Sequence, residues 1–217
     1  MNAANGMPGS RLGVLASGRG SNLQALLDGQ ENGELRARVA VVISDRADAP
    51  ALERARRHGV PALHLDPGSP RARLRPEAET EIVRALRAHG VDWVVLAGYF
   101  RIVGSVLLDA FADRVLNIHP SLLPAFPGLH APRQALAYGV EVAGCTVHLV
   151  TAAVDAGPIL RQEAVAVRPD DTEESLAARI LEREHRILVA AVNDVVGRPF
   201  RIEGRRVRWG TAAPAGE

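Results

Sequence analysis

Apolar residues along this chain fall in short runs separated by stretches of helical spacing. RLGVLASG (11–18) is an apolar run closed by glycine and reads as a buried strand. SNLQALLDGQENG follows with Leu23, Leu26 and Leu27 on one helical face, and Ser21 or Asn22 is placed to cap that helix. RARVAVVISD (36–45) predicts a second strand, ALERARRHG (51–59) a short helix ending in glycine, and VPALHLD (60–66) a third strand. EAETEIVRALRAHG (77–90) predicts a helix, VDWVVLAGY (91–99) a very apolar strand, and FADRVLNIHPS (111–121) contains the next one. APRQALAYG is a short helix, and 142–167 reads as two strands joined by a turn near Asp155, Gly157 and Pro158. Residues 170–198 form one long helix with an N-cap at Asp171 or Thr172, and RIEGRRVRW (201–209) a last hairpin.

Short apolar runs alternating with helices predict βαβ units. The fold class is α/β: a Rossmann-like, mostly parallel twisted sheet with helices on both faces. The C-terminal part adds antiparallel strands and a long helix. In such sheets ligands bind at the carboxyl ends of the strands. SGRGSN, the turn after the fourth strand, and Asn117 to His119 all fall at those ends.

Composition narrows the chemistry. With 47% hydrophobic residues in 217, the chain has enough apolar material for one sizeable core. Residues 1–10 are expected to be a disordered leader, 11–210 a single domain and 211–217 a tail. The net charge of +1 gives no electrostatic case for nucleic acid or an anionic membrane. All 26 basic residues are arginine, which excludes a lysine Schiff base and a Walker A loop. Cys145 is the sole cysteine, so neither an intrachain disulfide nor a cysteine zinc cluster forms. No secretory signal or membrane-spanning run is evident, and a cytoplasmic protein is expected.

Five segments carry candidate chemistry. SGRGSNLQ (17–24) is a glycine-rich turn entering a helix: either an anion site suited to a monophosphate, or a tight turn without a ligand. Asn117 and His119 lie two apart on a strand and share a face. Together they could stabilise an oxyanion and move a proton, or His119 could be a satisfied strand-end histidine. Asp155 in VDAGPI makes an Asx-turn or, facing His119, favours the imidazolium. GYFRI (98–102) could line a flat aromatic ligand, with Arg101 gripping a carboxylate, or be core with one surface arginine. Glu182, Glu184 and His185 on the long helix read, on spacing alone, as a solvated face with ion pairs.

In chain order, SGRGSNLQALLDG, LAGYFRI, LNIHPSLLPAFPG, CTVHLVTAAVDAGPILRQEAV and the EREH segment closely resemble the folate-dependent phosphoribosylglycinamide formyltransferases of purine synthesis. NIHPSLLP with DAGPI is shared more widely among enzymes that handle 10-formyltetrahydrofolate. SGRGSNLQ is the discriminating piece, similar to the loop that holds the phosphate of glycinamide ribonucleotide. The resemblance implies that Gly20, Ser21 and Asn22 bind that phosphate and Glu184 the ribose hydroxyls. It implies a catalytic trio of Asn117, His119 and Asp155. Around the folate it places Arg75, Phe100, Arg101, Ile102, Val103, Asn117, Thr151, Ala152, Ala153, Val154 and Asp155. The N-terminal half would then hold the ribonucleotide, and the C-terminal half the folate and the catalytic groups. The implied reaction is direct formyl transfer without metal, ATP or covalent intermediate. The partners are small molecules, with no nucleic acid or membrane, and a homodimer is left open. A hydrolase acting on the same folate and a non-catalytic folate- or nucleotide-binding module are the competing readings. The intact SGRGSN loop speaks against the first, and retention of all three polar catalytic positions against the second.

Overall fold

The computed structural model describes residues 9–68 and 73–210. Its first half runs β1 (Arg11–Leu15), α1 (Ser21–Glu31), β2 (Arg38–Ser44), α2 (Pro50–Arg57), β3 (Ala62–His64), α3 (Pro76–Ala88), β4 (Trp93–Leu96) and α4 (Ser105–Ala110). The second half runs β5 (Val115–His119), α5 (Ala131–Tyr138), β6 (Val142–Leu149), β7 (Ile159–Ala166), α6 (Glu173–Gly197), β8 (Phe200–Glu203) and β9 (Arg206–Trp209). The described strands form one sheet in the order β3-β2-β1-β4-β5-β6-β7-β9-β8. From β3 to β5 every pairing is parallel. β6 then pairs antiparallel with β5, and β7 with β6, as expected from the sequence. The order reverses between β1 and β4, which makes the carboxyl ends of β1, β4 and β5 the crevice of the sheet.

Period-two alternation divides the core between two faces. Leu12, Val14, Trp93, Val95, Leu116, Ile118, Cys145 and Val147 pack with buried residues of α1, α2, α5 and α6. Leu15, Val94, Leu96 and Val115 pack with Ile82, Val83 and Leu86 of α3 and Leu107 of α4. Asn117 and His119 share the parity of Val115, so they project on the face opposite α6. The register adds Thr146 and His148 of β6 to that face, opposite His119 and Asn117 respectively.

Three local features differ from expectation. Helix α1 takes Gly20 as its N-cap, in the left-handed region at φ 71°, and neither Ser21 nor Asn22 caps it. Ser10, assigned to the leader, is buried, and its carbonyl accepts the Arg38 N–H at 2.9 Å. The rest of the leader, residues 1–8, and the tail at 211–217 lie outside the described residues, apart from Gly9. Helix α4 has no signal in the sequence, because its cap comes from far away along the chain. The buried Glu79 of α3 accepts the N–H groups of Gly104 and, at 3.3 Å, Leu107. Glu79→Ala would leave both amides unpaired and is expected to lower stability by about 2 kcal/mol, read from denaturant melts. Helix α6 begins as expected at Thr172, where Thr172 and Ser175 exchange hydrogen bonds in a capping box. Among the described residues, no helix is long and apolar enough to cross a membrane.

Candidate active site

Three neighbouring strands deliver the site. At the end of β1 the chain turns through Ser17–Gly20 into α1. The first main-chain N–H groups of α1 receive no side-chain cap, which leaves the helix start open to an anion. Gly20 is required there, because a Cβ would lie 2.8 Å from the Ala51 Cβ and 2.9 Å from its Cα. The side chain of Asn22 donates from Nδ2 to Glu184 Oε2 at 2.8 Å. This joins α1 to α6 across 162 residues of sequence.

Glu184 is not on a solvated face, as its charged neighbours suggest. It is buried on the stripe of Leu176, Ile180, Ile187, Leu188 and Ala191. The signal is its helical phase: four residues from Ile180 and four from Leu188, it occupies an apolar position. Burial pushes its carboxyl above the usual range, opposed by the Asn22 amide. Asn22 Oδ1 is itself buried without a hydrogen-bond partner.

At the end of β4, Ser17 Oγ accepts the Phe100 N–H at 2.9 Å, which ties the first loop to the second. Phe100 is 62% exposed, beside Gly18. Ile102 forms a β-bridge with Arg73, and the Leu74 N–H donates to the Ile102 carbonyl at 3.2 Å; Arg75, next in the chain, is exposed. Arg101 Nε donates to Asp45 Oδ2 at 2.6 Å, which anchors the guanidinium to a buried carboxylate of the chain. Val103 is buried in the core cluster of α3 and α4. Thr151, Ala152, Ala153 and Val154 are exposed on the β6–β7 connection.

At the end of β5 the structure brings Asn117, His119 and Asp155 together. His119 is buried, with Nε2 3.0 Å from the Phe126 carbonyl and Nδ1 3.5 Å from Asp155 Oδ2. Both partners are acceptors, so each ring nitrogen faces a group that can take a hydrogen bond from it. Asp155 makes no local Asx-turn; its Oδ2 accepts the Gly128 N–H at 2.8 Å. Burial opposes ionisation of Asp155, but hydrogen bonding to His148, the Gly128 amide and the charge of both imidazoles hold it below the usual carboxylate range. Phe126 and Asp155 both have φ 51°, in the left-handed region that side chains rarely adopt, and both converge on His119.

His148 is the residue the sequence reading missed. Its Nε2 lies 3.1 Å from Asn117 Nδ2 and 3.7 Å from Asp155 Oδ1, and its Nδ1 2.9 Å from the Leu149 carbonyl. The Nε2 atom thus faces both Asn117 and Asp155, so His148 links two members of the trio. The signal is the register: two residues beyond Thr146 on the strand paired with β5, it faces Asn117 directly.

The two site carboxylates affect stability in opposite senses. The depressed value of Asp155 means its contribution is present above the ordinary carboxylate pKa of about 4 and is lost as pH falls through its folded value. The raised value of Glu184 means stability is greatest below its unfolded pKa and declines as pH rises toward its folded one. Glu184→Gln removes that penalty and offers an N–H to Asn22 Oδ1. It is expected to raise the melting temperature at pH 7–8 more than at pH 4, followed by thermal melts across pH. A lower melting temperature at pH 8 would contradict this account of the buried carboxylate.

The profile described as formyl transferase matches residues 10–192, and the chain belongs to the formyl transferase family. Within that family it is 44% identical over 207 residues to phosphoribosylglycinamide formyltransferase from Mycobacterium tuberculosis, covering 95% of this chain and 94% of that protein. The crystal structure of glycinamide ribonucleotide transformylase 1 from Symbiobacterium toebii superposes with a TM-score of 0.88 at 59% identity, over 93% of this chain and 94% of the other. A formyltetrahydrofolate deformylase from Pseudomonas syringae also superposes, with a TM-score of 0.78 at 31% identity, over 92% of this chain and 65% of that one. Other relatives are trifunctional purine biosynthetic proteins, of which this chain covers 13–20%.

Proposed function

We propose that this chain transfers the formyl group of 10-formyltetrahydrofolate to the amine of glycinamide ribonucleotide. The observation that carries this reading is the joint presence of two units. One is a pair of oxyanion donors backed by a carboxylate at the end of β5. The other is an uncapped helix start at the end of β1. Two strand spacings separate these ends, about 10 Å, a span suited to a phosphorylated sugar bearing a short amide. A deformylase uses water as acceptor and has no use for the second unit.

In this reading Gly20, Ser21 and Asn22 hold the acceptor's phosphate through main-chain N–H groups, and Glu184 accepts from its ribose hydroxyls. The folate lies along Phe100–Val103 and Thr151–Asp155, with Arg75 at its tail. The acceptor's amine nitrogen forms a bond to the formyl carbon, and the carbonyl π pair moves to oxygen. Asn117 and the His119 imidazolium donate to that oxyanion, and Asp155 keeps the ring charged and oriented. His119 exchanges the Phe126 carbonyl for the oxyanion, trading a neutral acceptor for a charged one. The oxyanion pair then returns and the bond to the folate nitrogen breaks. That nitrogen gains one proton and the amine loses one, relayed through His119, Asp155 and water.

The test is a formyl-transfer assay without ATP or added metal. Product that depends strictly on the ribonucleotide supports the transferase. Formate release without it favours the hydrolase, and ligand binding without turnover favours the binding module.

A further inference from the structure

Helix α2 holds the back of the proposed phosphate loop at three points. The Ala51 N–H donates to the Gly18 carbonyl at 3.2 Å. Arg54 Nε donates to the Arg19 carbonyl at 2.8 Å. Ala51 closes the space behind Gly20. Across a planar trans peptide, the C=O of one residue and the N–H of the next point in opposite directions. Pinning the Gly18 and Arg19 carbonyls against α2 therefore aims the N–H groups of Arg19 and Gly20 away from α2, out of the loop's front. A loop free to rotate either peptide would present a carbonyl oxygen there, which repels an anion.

The arginine that makes the second contact is itself held. Its Nη1 donates to Gln24 Oε1 at 2.8 Å. The Gln24 amide cannot reverse, because its nitrogen has Asp28 Oδ1 at 2.7 Å and His58 Nε2 at 3.0 Å. His58 Nδ1 in turn lies 2.5 Å from Glu31 Oε1, so α1 and α2 are joined through one chain of polar contacts. Arg56 and Arg57 of the same helix are exposed, and Arg57 pairs with Glu53 one turn away at 3.0 Å.

We propose that Arg54 is a positioning residue for the acceptor's phosphate: by holding the Arg19 carbonyl back, it turns the Gly20 N–H forward and sets affinity for the phosphorylated acceptor. This rests on the reading of Gly20–Asn22 as the phosphate site. Arg54 touches no reacting atom, so its effect falls on acceptor binding alone. A lysine at the position reaches the Arg19 carbonyl but cannot serve Gln24 at the same time.

The experiment is steady-state kinetics of Arg54→Ala, Arg54→Lys and Arg57→Ala, with thermal protection by inorganic phosphate measured on each. Arg54→Ala is expected to raise KM for glycinamide ribonucleotide about 10- to 100-fold, the range for a lost hydrogen bond to a charged group. Its kcat and its KM for the folate stay within about twofold of wild type. Arg54→Lys falls between, Arg57→Ala matches wild type, and phosphate protects wild type but not Arg54→Ala. An unchanged ribonucleotide KM in a folded variant overturns the proposal, as does a loss shared equally by kcat and both KM values. Should Arg54→Ala fail to fold, the same comparison of KM and kcat is made on Arg54→Lys. If wild type transfers no formyl group to the ribonucleotide, the parent reading fails. Phosphate protection then decides separately whether Arg54 shapes an anion site.

Discussion

His119→Ala is expected to lower formyl-transfer turnover by about 10²–10³, the usual cost of removing one oxyanion donor from a preorganised site. The imidazole is buried between two acceptors, the Phe126 carbonyl and Asp155 Oδ2. Alanine supplies neither a donor nor a charge, and Asn117 is left as the single donor to the developing oxyanion. Asp155 keeps its bond from the Gly128 N–H, so the β6–β7 connection retains an anchor. The lost turnover is therefore a loss of transition-state stabilisation rather than of folding. Rates measured under substrate saturation, with a thermal melt beside them, separate the two. Near-normal turnover in a folded variant would remove His119 from the mechanism.

Gly20→Ala is the second large effect, and it acts on the acceptor. A Cβ at this position would meet the Ala51 Cβ at 2.8 Å and its Cα at 2.9 Å, and the backbone sits at φ 71°. Left-handed strain of about 1 kcal/mol and overpacking of about 1–3 kcal/mol both fall on the loop. The least costly relief is for the loop to move off α2, which takes its N–H groups out of line. KM for the ribonucleotide is expected to rise about 10²-fold with little change in kcat, since each amide–phosphate bond contributes about 1.5–3 kcal/mol. Gly18→Ala is the matched control. Its Cβ would meet only the Phe100 ring, at 3.8 Å, an ordinary contact. Equal effects from the two substitutions would mean that the loop's shape does not set acceptor affinity.

Much of this architecture is legible along the chain because the governing forces are local. Apolar runs and helical spacing give the alternation of β1 to β5 with their helices, and the two-residue step from Asn117 to His119 gives their common face. What stays hidden depends on distant partners. Glu79 caps α4 from α3, so Ser105–Ala110 carries no start signal of its own. Asp45 pairs with Arg101 from 56 residues away, a contact that no local spacing announces. His148 enters the trio only through the register of β6 on β5. Glu184 is readable in principle from its phase on α6, but its charged neighbours mask the buried stripe. The resemblance to a family implies a ribose-binding role for it where spacing alone points the other way.

The left-handed backbone at Phe126 and Asp155 bears on how this protein would respond to selection for heat tolerance. Two residues that shape the histidine's surroundings occupy conformations that glycine or asparagine adopts more readily. The relief from replacing either is offset, because Phe126 packs on the core and against the Tyr138 ring, and Asp155 accepts the Gly128 N–H beside two imidazoles. Selection for heat tolerance would therefore leave both residues alone and draw its gains from elsewhere, for example the exposed rim of the sheet.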